Sequence, residues 1–271
     1  MRFRWLGVAG IELEHEGQTL VIDPFVSRFP FWRMWFGHVA PDAQLVAARI
    51  PRADWILVSH AHWDHLMDVP EVVRNTGATA FGSSNACQLL RVLGVASERV
   101  REACVGDHLE LGSFEASVLP GQHDTVMGRP VFAGPVCGEL RPPLRARDYR
   151  MDECFSFLIQ AGGLRLLSWA DTDCRGAPSA DVLFCRLHEA RDYYELLLRS
   201  VQPKVVIPVH WDDLFRPLSK PLRPMLKPPV LALPSVGRMD LRGFARCIEG
   251  LAANVRVLVP ESFHDYELGH T

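Results

Sequence analysis

The sequence predicts an α/β fold, with strand-rich halves and helices between them, on one domain spanning residues 1–271. Three observations predict it. Short apolar runs of strand character alternate with segments that carry helix caps and glycine stops. No internal repeat, low-complexity tract or linker divides the chain. With 271 residues, 48% hydrophobic and 23% charged, the composition provides a sizeable core.

The elements follow in order. "RFRWLGV", "IELEH" and "TLVID" read as a strand meander with a polar turn at Glu16-Gly17. An aromatic segment, Phe25 to Phe36, comes next. "WILVS" is a compact strand, and "VPEVVRNTG" a helix stopped by Gly77. "ATAFG" is the next strand, and "SSNACQLLRVLG", with serines at its start and glycine at its end, a helix. Strands follow at Asp107–Leu111 and Phe114–Leu119. "CFSFLIQ" and "LRLLSW" form a hairpin through Ala161-Gly162-Gly163. "DVLFC" is a strand, "EARDYYELLLRSV" a helix and "KVVIPV" a strand. Six prolines lie between Pro217 and Pro234, before a helix capped by Asp240 and a last strand at "VRVLV".

Composition excludes several function classes. A net charge of −3 gives no global attraction to nucleic acid or anionic membranes. Seven cysteines, odd in number and without a Cys-x-x-Cys pair, fit reduced thiols and a cytoplasmic location. The opening residues reach charges too soon for a signal peptide, and no run approaches the ~18 apolar residues of a membrane helix. The expected partner is a small-molecule substrate, phosphorylated or lipid-like; a homo-oligomer stays open.

"LVSHAHWDHLMD" carries the chemistry. His60, His62, Asp64 and His65 form H-x-H-x-D-H directly after an apolar strand. Imidazole and carboxylate are ligands for zinc, iron and manganese, and this spacing lets side chains reach two neighbouring ions. Other strands run into further candidates: "FEASVLPGQH" ends on His123, "LRLLSWAD" on Asp171 and "KVVIPVH" on His210. Open α/β sheets place their sites at such carboxyl ends. Taken singly, His123 and His210 read as capped or solvent-facing residues and Asp171 as a turn former. Together with the motif they make seven ligands, which suit two metals.

These residues, in this order, resemble the metallo-β-lactamase superfamily, and "WLGVAGIELEHEGQTLVIDPF" is similar to that family's opening hairpins. The resemblance spans about Arg2 to Asp213. It implies an αββα sandwich, two face-to-face mixed sheets with helices outside and the site along one edge. It implies that His60, His62 and His123 bind one metal, that Asp64, His65 and His210 bind the other, and that Asp171 bridges them. Asp23 and Asp107 are candidates for the surrounding support or for structural turns. The cofactors implied are two divalent cations, Zn2+ foremost, with Mn2+ or Fe2+ as alternatives.

The implied activity is hydrolysis: a hydroxide shared by two metals attacks a phosphodiester, lactone or related small ester, with the catalytic Asp64 orienting it. The rival readings are a thioester hydrolase or a mononuclear iron sulfur dioxygenase on the same fold, and a metal-stabilised binding protein without turnover. Asp171 stands where β-lactam-cleaving members carry cysteine, and His62 where oxygen-reducing diiron members carry glutamate. The closest look is to the branch of L-ascorbate-6-phosphate lactonase and N-acyl-phosphatidylethanolamine phospholipase D. That branch often has histidine after the first strand's glycine; here Gly7 precedes Val8.

Two further segments bear on the pocket. Phe25–Phe36 is either an apolar wall that touches lipid or another subunit, or a short core helix. Arg141, Arg145, Arg147 and Arg150 are either a clamp for phosphate or carboxylate, or a solvated face. His15, His38, His108, His188, His264 and His270 have no partner pattern and read as surface or capping residues.

Overall fold

The structure is a computed structural model and describes residues 1–123, 125–126, 129–170, 173–188, 190–227 and 237–269. Two seven-stranded mixed sheets share one plan. In the first, β1 (Arg2–Gly7), β2 (Gly10–His15) and β3 (Gln18–Ile22) form an antiparallel meander. Strands β4 (Trp55–Leu57), β5 (Thr79–Gly82) and β6 (Val100–Glu102) continue from β3 in parallel, and β16 (Asp265–Glu267) pairs antiparallel with β1.

In the second sheet β7 (His108–Leu111), β8 (Phe114–Pro120), β11 (Phe155–Ala161) and β12 (Leu164–Trp169) are antiparallel neighbours. From β12 the sheet continues in parallel through β13 (Val182–Arg186), β14 (Val205–Val209) and β15 (Arg256–Val257). A two-stranded ribbon, β9 (Thr125–Val126) with β10 (Arg129–Pro130), stands apart.

Burial follows strand alternation. Phe3, Trp5, Leu13 and Leu20 of the first sheet pack directly on Phe114, Phe157, Phe184 and Ile207 of the second. The outer face of the first sheet (Val21, Ile56, Val58, Ala80) is covered by α1 (Ala43–Arg49), α2 (Trp63–Leu66), α3 (Val69–Thr76) and α4 (Ser84–Val92). The outer face of the second (Leu167, Leu183, Val206) is covered by α5 (Arg191–Val201) and α6 (Leu241–Leu251). Helix, sheet, sheet, helix is the αββα order expected from the sequence.

Local signals account for most boundaries. Ser83 accepts from Ala86 N at 3.4 Å and Asp240 from Gly243 N at 2.9 Å, capping α4 and α6. Gly77 ends α3 in the left-handed conformation, φ 77°. Pro208 sits inside β14 because β15 pairs only with Val205 and Val206, so no neighbour needs the missing N–H. "VRVLV" forms strand only at Arg256–Val257, and α1, β6 and β16 were not foreseen. Asp42 caps α1 by accepting from Leu45 N at 3.0 Å, a signal present in "PDAQL". Strand β16 is three residues long with no alternation to read.

The Phe25–Phe36 segment divides in two. Phe25 and Phe29 are buried against Trp63 of α2, whereas Phe31–Met34 form a helical turn on the surface, followed by exposed Trp35 and Phe36. The buried half packs in the core but is not helical, and the helical half is not core, so the core-helix reading is corrected.

Candidate metal centre

The carboxyl ends of β3, β4, β8, β13 and β14 converge on one groove. Chain reversal at β3 puts Asp23 in a left-handed turn, φ 46°. Two residues past β4 come Ser59 and the motif, with His62 at the N-terminal cap position of α2. His60, His62, Asp64 and His65 are all buried. His123 follows β8, and His210 follows β14 at φ 55°.

The six described ligand candidates form two clusters. In His60, His62 and His123 one ring nitrogen from each lies within 4.8 Å of the others, and so do one carboxylate oxygen of Asp64 and one ring nitrogen each of His65 and His210. The clusters abut, with His60 and His65 ring centroids 3.8 Å apart. Asp64 Oδ2 lies 3.3 Å from His210 Nε2 and 3.6 Å from His65 Nε2. Asp171 lies outside the described residues.

One carboxylate orients a histidine in each cluster. Asp23 Oδ1 accepts from Ser59 N at 2.7 Å, and Oδ2 takes Ser59 Oγ at 2.5 Å and His65 Nδ1 at 2.8 Å. An ionised carboxylate only accepts, so His65 carries its proton on Nδ1 and Ser59 donates its hydroxyl hydrogen. Ser59 Oγ is then left to accept from His60 Nδ1, 3.0 Å away. Both imidazoles thus turn an Nε2 lone pair inward. His62 is fixed in the opposite sense: its Nε2 donates to Val131 O at 2.8 Å, freeing Nδ1. Such outer partners set the tautomer and basicity of metal-binding histidines.

The charges follow. Burial, then the neighbouring His65, His62, His123 and His210, push His60 well below its ordinary pKa of 6.5. Burial, and next His123, lower His62 to about 4. Burial acts against ionised Asp64, yet His65 and His210 outweigh it and hold the carboxyl well below its usual range. Burial also acts against charged His65, but Asp23 and Asp64 raise its pKa.

The residues fit metal ions. His60 Nε2 is buried and has no hydrogen-bond partner among the described residues. A polar atom left so costs about 1–3 kcal/mol. Three imidazoles beside two further imidazoles and a carboxylate form a donor set suited to zinc, manganese or iron.

Support behind His210 comes from residues the sequence reading did not single out. His210 N donates to Val8 O at 2.7 Å, and Val8 N donates to Asp212 Oδ1 at 2.8 Å. Asp212 is paired with Arg28 at 2.8 Å, and both side chains are at most 1% exposed. Gly7 is required here, since at φ 93° an added Cβ would run into Arg28 Nη2. Ser59 and Arg186 were also missed. Arg186 ends β13 and lines the groove with His123, Ser168, Trp169 and His210. The rule that strand ends carry sites would have found it.

Other expectations resolve differently. Asp107 accepts from Cys104 N at 2.8 Å and only closes a turn away from the groove. Arg141, Arg145 and Arg147 are exposed and do not line the groove, and Arg150 donates to Ala133 O. His188 stacks on Tyr193 and His264 meets Tyr266 edge-on, as surface residues do. His270 lies outside the described residues. Among the described residues no helix is long and apolar enough to cross a membrane.

Comparison with known proteins agrees with this fold. Residues 18–180 match a family model described as a beta-lactamase superfamily domain. A UPF0173 metal-dependent hydrolase from Methanopyrus kandleri is 27% identical over 98% of this chain and 100% of its own length. Igni18, a metallo hydrolase of Ignicoccus hospitalis, superposes with a TM-score of 0.60 at 17% identity, covering 99% of both chains. The metallo-beta-lactamase fold protein YhfI of Bacillus subtilis gives 0.61 at 12% identity over 98% of both.

Proposed function

Because the chain belongs to the beta-lactamase superfamily, we propose that it is a metal-dependent hydrolase holding two divalent cations, zinc foremost, and acting on a small phosphodiester, lactone or related ester. The observation that carries this reading is the pair of abutting clusters, each offering three donor atoms within 4.8 Å of one another. His60, His62 and His123 would hold one cation, and Asp64, His65 and His210 the other. Asp171, by its place in the motif order, is the proposed bridge. The cations would supply an activated water at neutral pH and an electrophile for the substrate oxygen.

The chain's own groups do the rest. Asp64, ionised because His65 and His210 face it, accepts a hydrogen bond from the attacking water and aims it. Asp23, through Ser59 and His65, keeps both inward lone pairs in place. Arg186 at the groove wall would meet an anionic substrate group. Cys154 also lines the groove, but no proton or nucleophile role is assigned to it.

Thioester hydrolysis and sulfur oxidation at one iron are the competing readings. The completeness of the second cluster favours two cations over one. The test is a panel of phosphodiesters, lactones, thioesters and β-lactams, with oxygen uptake followed in parallel. The expected result is chelator-sensitive hydrolysis of a phosphodiester or lactone, lowered at least a hundredfold in Asp64→Ala. Oxygen uptake by an iron-loaded protein would overturn it.

A further inference from the structure

Phe31, Trp32, Trp35 and Phe36 are 56, 55, 57 and 72% exposed. Four large aromatic side chains clustered in six residues are an unusual surface for a water-soluble face. They are held there by a rigid root. Asp68, fully buried, accepts from Val26 N at 2.6 Å and Ser27 N at 2.9 Å, and Phe25 and Phe29 pack on Trp63.

Positive charge predominates around the patch. Residues 24–41 contain no aspartate or glutamate, and Arg33 is exposed on the same turn. The loop bearing Arg141, Arg145 and Arg147 is fastened alongside. Val39 N donates to Leu144 O at 2.8 Å, and Leu144, Ala146 and Tyr149 share the buried cluster of Phe29 and Val39. The helical turns at 31–34 and 146–148 touch. Arg141 pairs with Glu139, and Asp148 caps the turn by accepting from Arg145 N at 2.8 Å. Arg33, Arg145 and Arg147 make no ion pair among the described residues.

We propose that this face docks the chain on an anionic lipid surface, with the four aromatic rings in the interfacial layer and the arginines on headgroup phosphates. Phenylalanine and tryptophan rings are suited to the boundary between water and acyl chain, and guanidinium groups bind phosphate oxygens in pairs. A two-fold pairing of this face with a second copy would set these arginines near their equivalents, which disfavours that occupant. The face is also joined to the metal motif. Phe31 packs edge-on to Phe215 at 5.0 Å, and Phe215 lies 5.7 Å from Trp63, which sits between His62 and Asp64 in the chain. Lipid docking does not depend on the hydrolase reading.

The test is co-sedimentation of the full chain with vesicles of phosphatidylglycerol and phosphatidylcholine mixed, against vesicles of phosphatidylcholine alone. Binding to the anionic vesicles is expected to be at least tenfold tighter and to weaken as salt is raised. The combined variant Trp32→Ser, Trp35→Ser, Phe36→Ser is expected to lose at least tenfold. Arg145→Ala and Arg147→Ala are expected to lose about fivefold each. Quenching of the unaltered chain's tryptophan fluorescence by brominated phosphatidylglycerol gives a readout that needs no variant. Absence of binding, equal binding to both vesicle types, or binding unmoved by these substitutions would overturn the proposal. So would a concentration-dependent dimer, seen by ultracentrifugation, that the aromatic variant dissolves.

Discussion

Asp23 Oδ2 receives His65 Nδ1 at 2.8 Å and the Ser59 hydroxyl at 2.5 Å, so one carboxylate sets the tautomers of His65 and, through Ser59, of His60. A carboxylate shared between two clusters would make the support of one proposed cation inseparable from that of the other. Several measurable consequences come from this arrangement and its neighbours.

Asp23→Asn replaces a pure acceptor with an amide that also donates. Metal affinity is expected to fall by about 10–100-fold, as for other outer partners of metal-binding histidines. In the metal-free chain the deficit in stability depends on pH. His65 has a raised folded pKa, so its contribution is complete below its ordinary pKa of 6.5 and is lost as pH rises through the folded value. Denaturant titrations of metal-free Asp23→Asn and parent chain are therefore expected to differ more at pH 6 than at pH 9. Equal affinity for metal in the two chains would contradict this role.

His62 acts in the opposite direction. Its folded pKa, about 4, lies below the 6.5 of the unfolded chain, so the unfolded state takes up the proton first on acidification. Stability of the metal-free chain should fall as pH drops below about 6.5, by roughly 3 kcal/mol from His62 alone once pH passes 4. His60 adds to the same trend. Denaturation midpoints collected from pH 7.5 to 4 check the slope, and His62→Gln is expected to flatten it.

Arg28 and Asp212 form a buried ion pair beneath Val8 and His210. Arg28→Met keeps the apolar stem but strands a buried carboxylate, a change expected to cost about 3–5 kcal/mol. Gly7→Ala should destabilise in the same direction, because its methyl group enters the space of Arg28. Thermal melts of both variants measure the loss. A melting temperature equal to the parent's would show that the pair carries no load there.

The sequence made much of this legible, for physical reasons. H-x-H-x-D-H is a local pattern, and local spacing directly dictates that His60, His62, Asp64 and His65 share a region. His123 and His210 were legible because each follows an apolar strand, and β8 and β14 run in the same direction, so their carboxyl ends meet at one edge. What was hidden is long-range. Nothing local announces that Arg28 meets Asp212, 184 residues later, or that Ser59 relays between Asp23 and His60. The Phe25–Phe36 segment was ambiguous because aromatic composition does not say which rings find a core. Asp68, buried at its base, binds Val26 and Ser27 and draws only the first half inward.

Arg186 stands at the groove wall with His123 and His210. Arg186→Ala is expected to raise KM for an anionic substrate about tenfold or more while leaving KM for an uncharged analogue nearly unchanged, since a charge-assisted hydrogen bond contributes ~1.5–3 kcal/mol. Steady-state kinetics on the pair of substrates checks it. An equal effect on both would place Arg186 in support of the fold.

Metal content of the purified chain, measured by elemental mass spectrometry, is the most direct test of the two-cluster site. Two equivalents of divalent metal are expected per chain, with His123→Ala and His210→Ala each reduced to about one. A single equivalent in the parent chain, or a content unaltered by His210→Ala, would contradict the account.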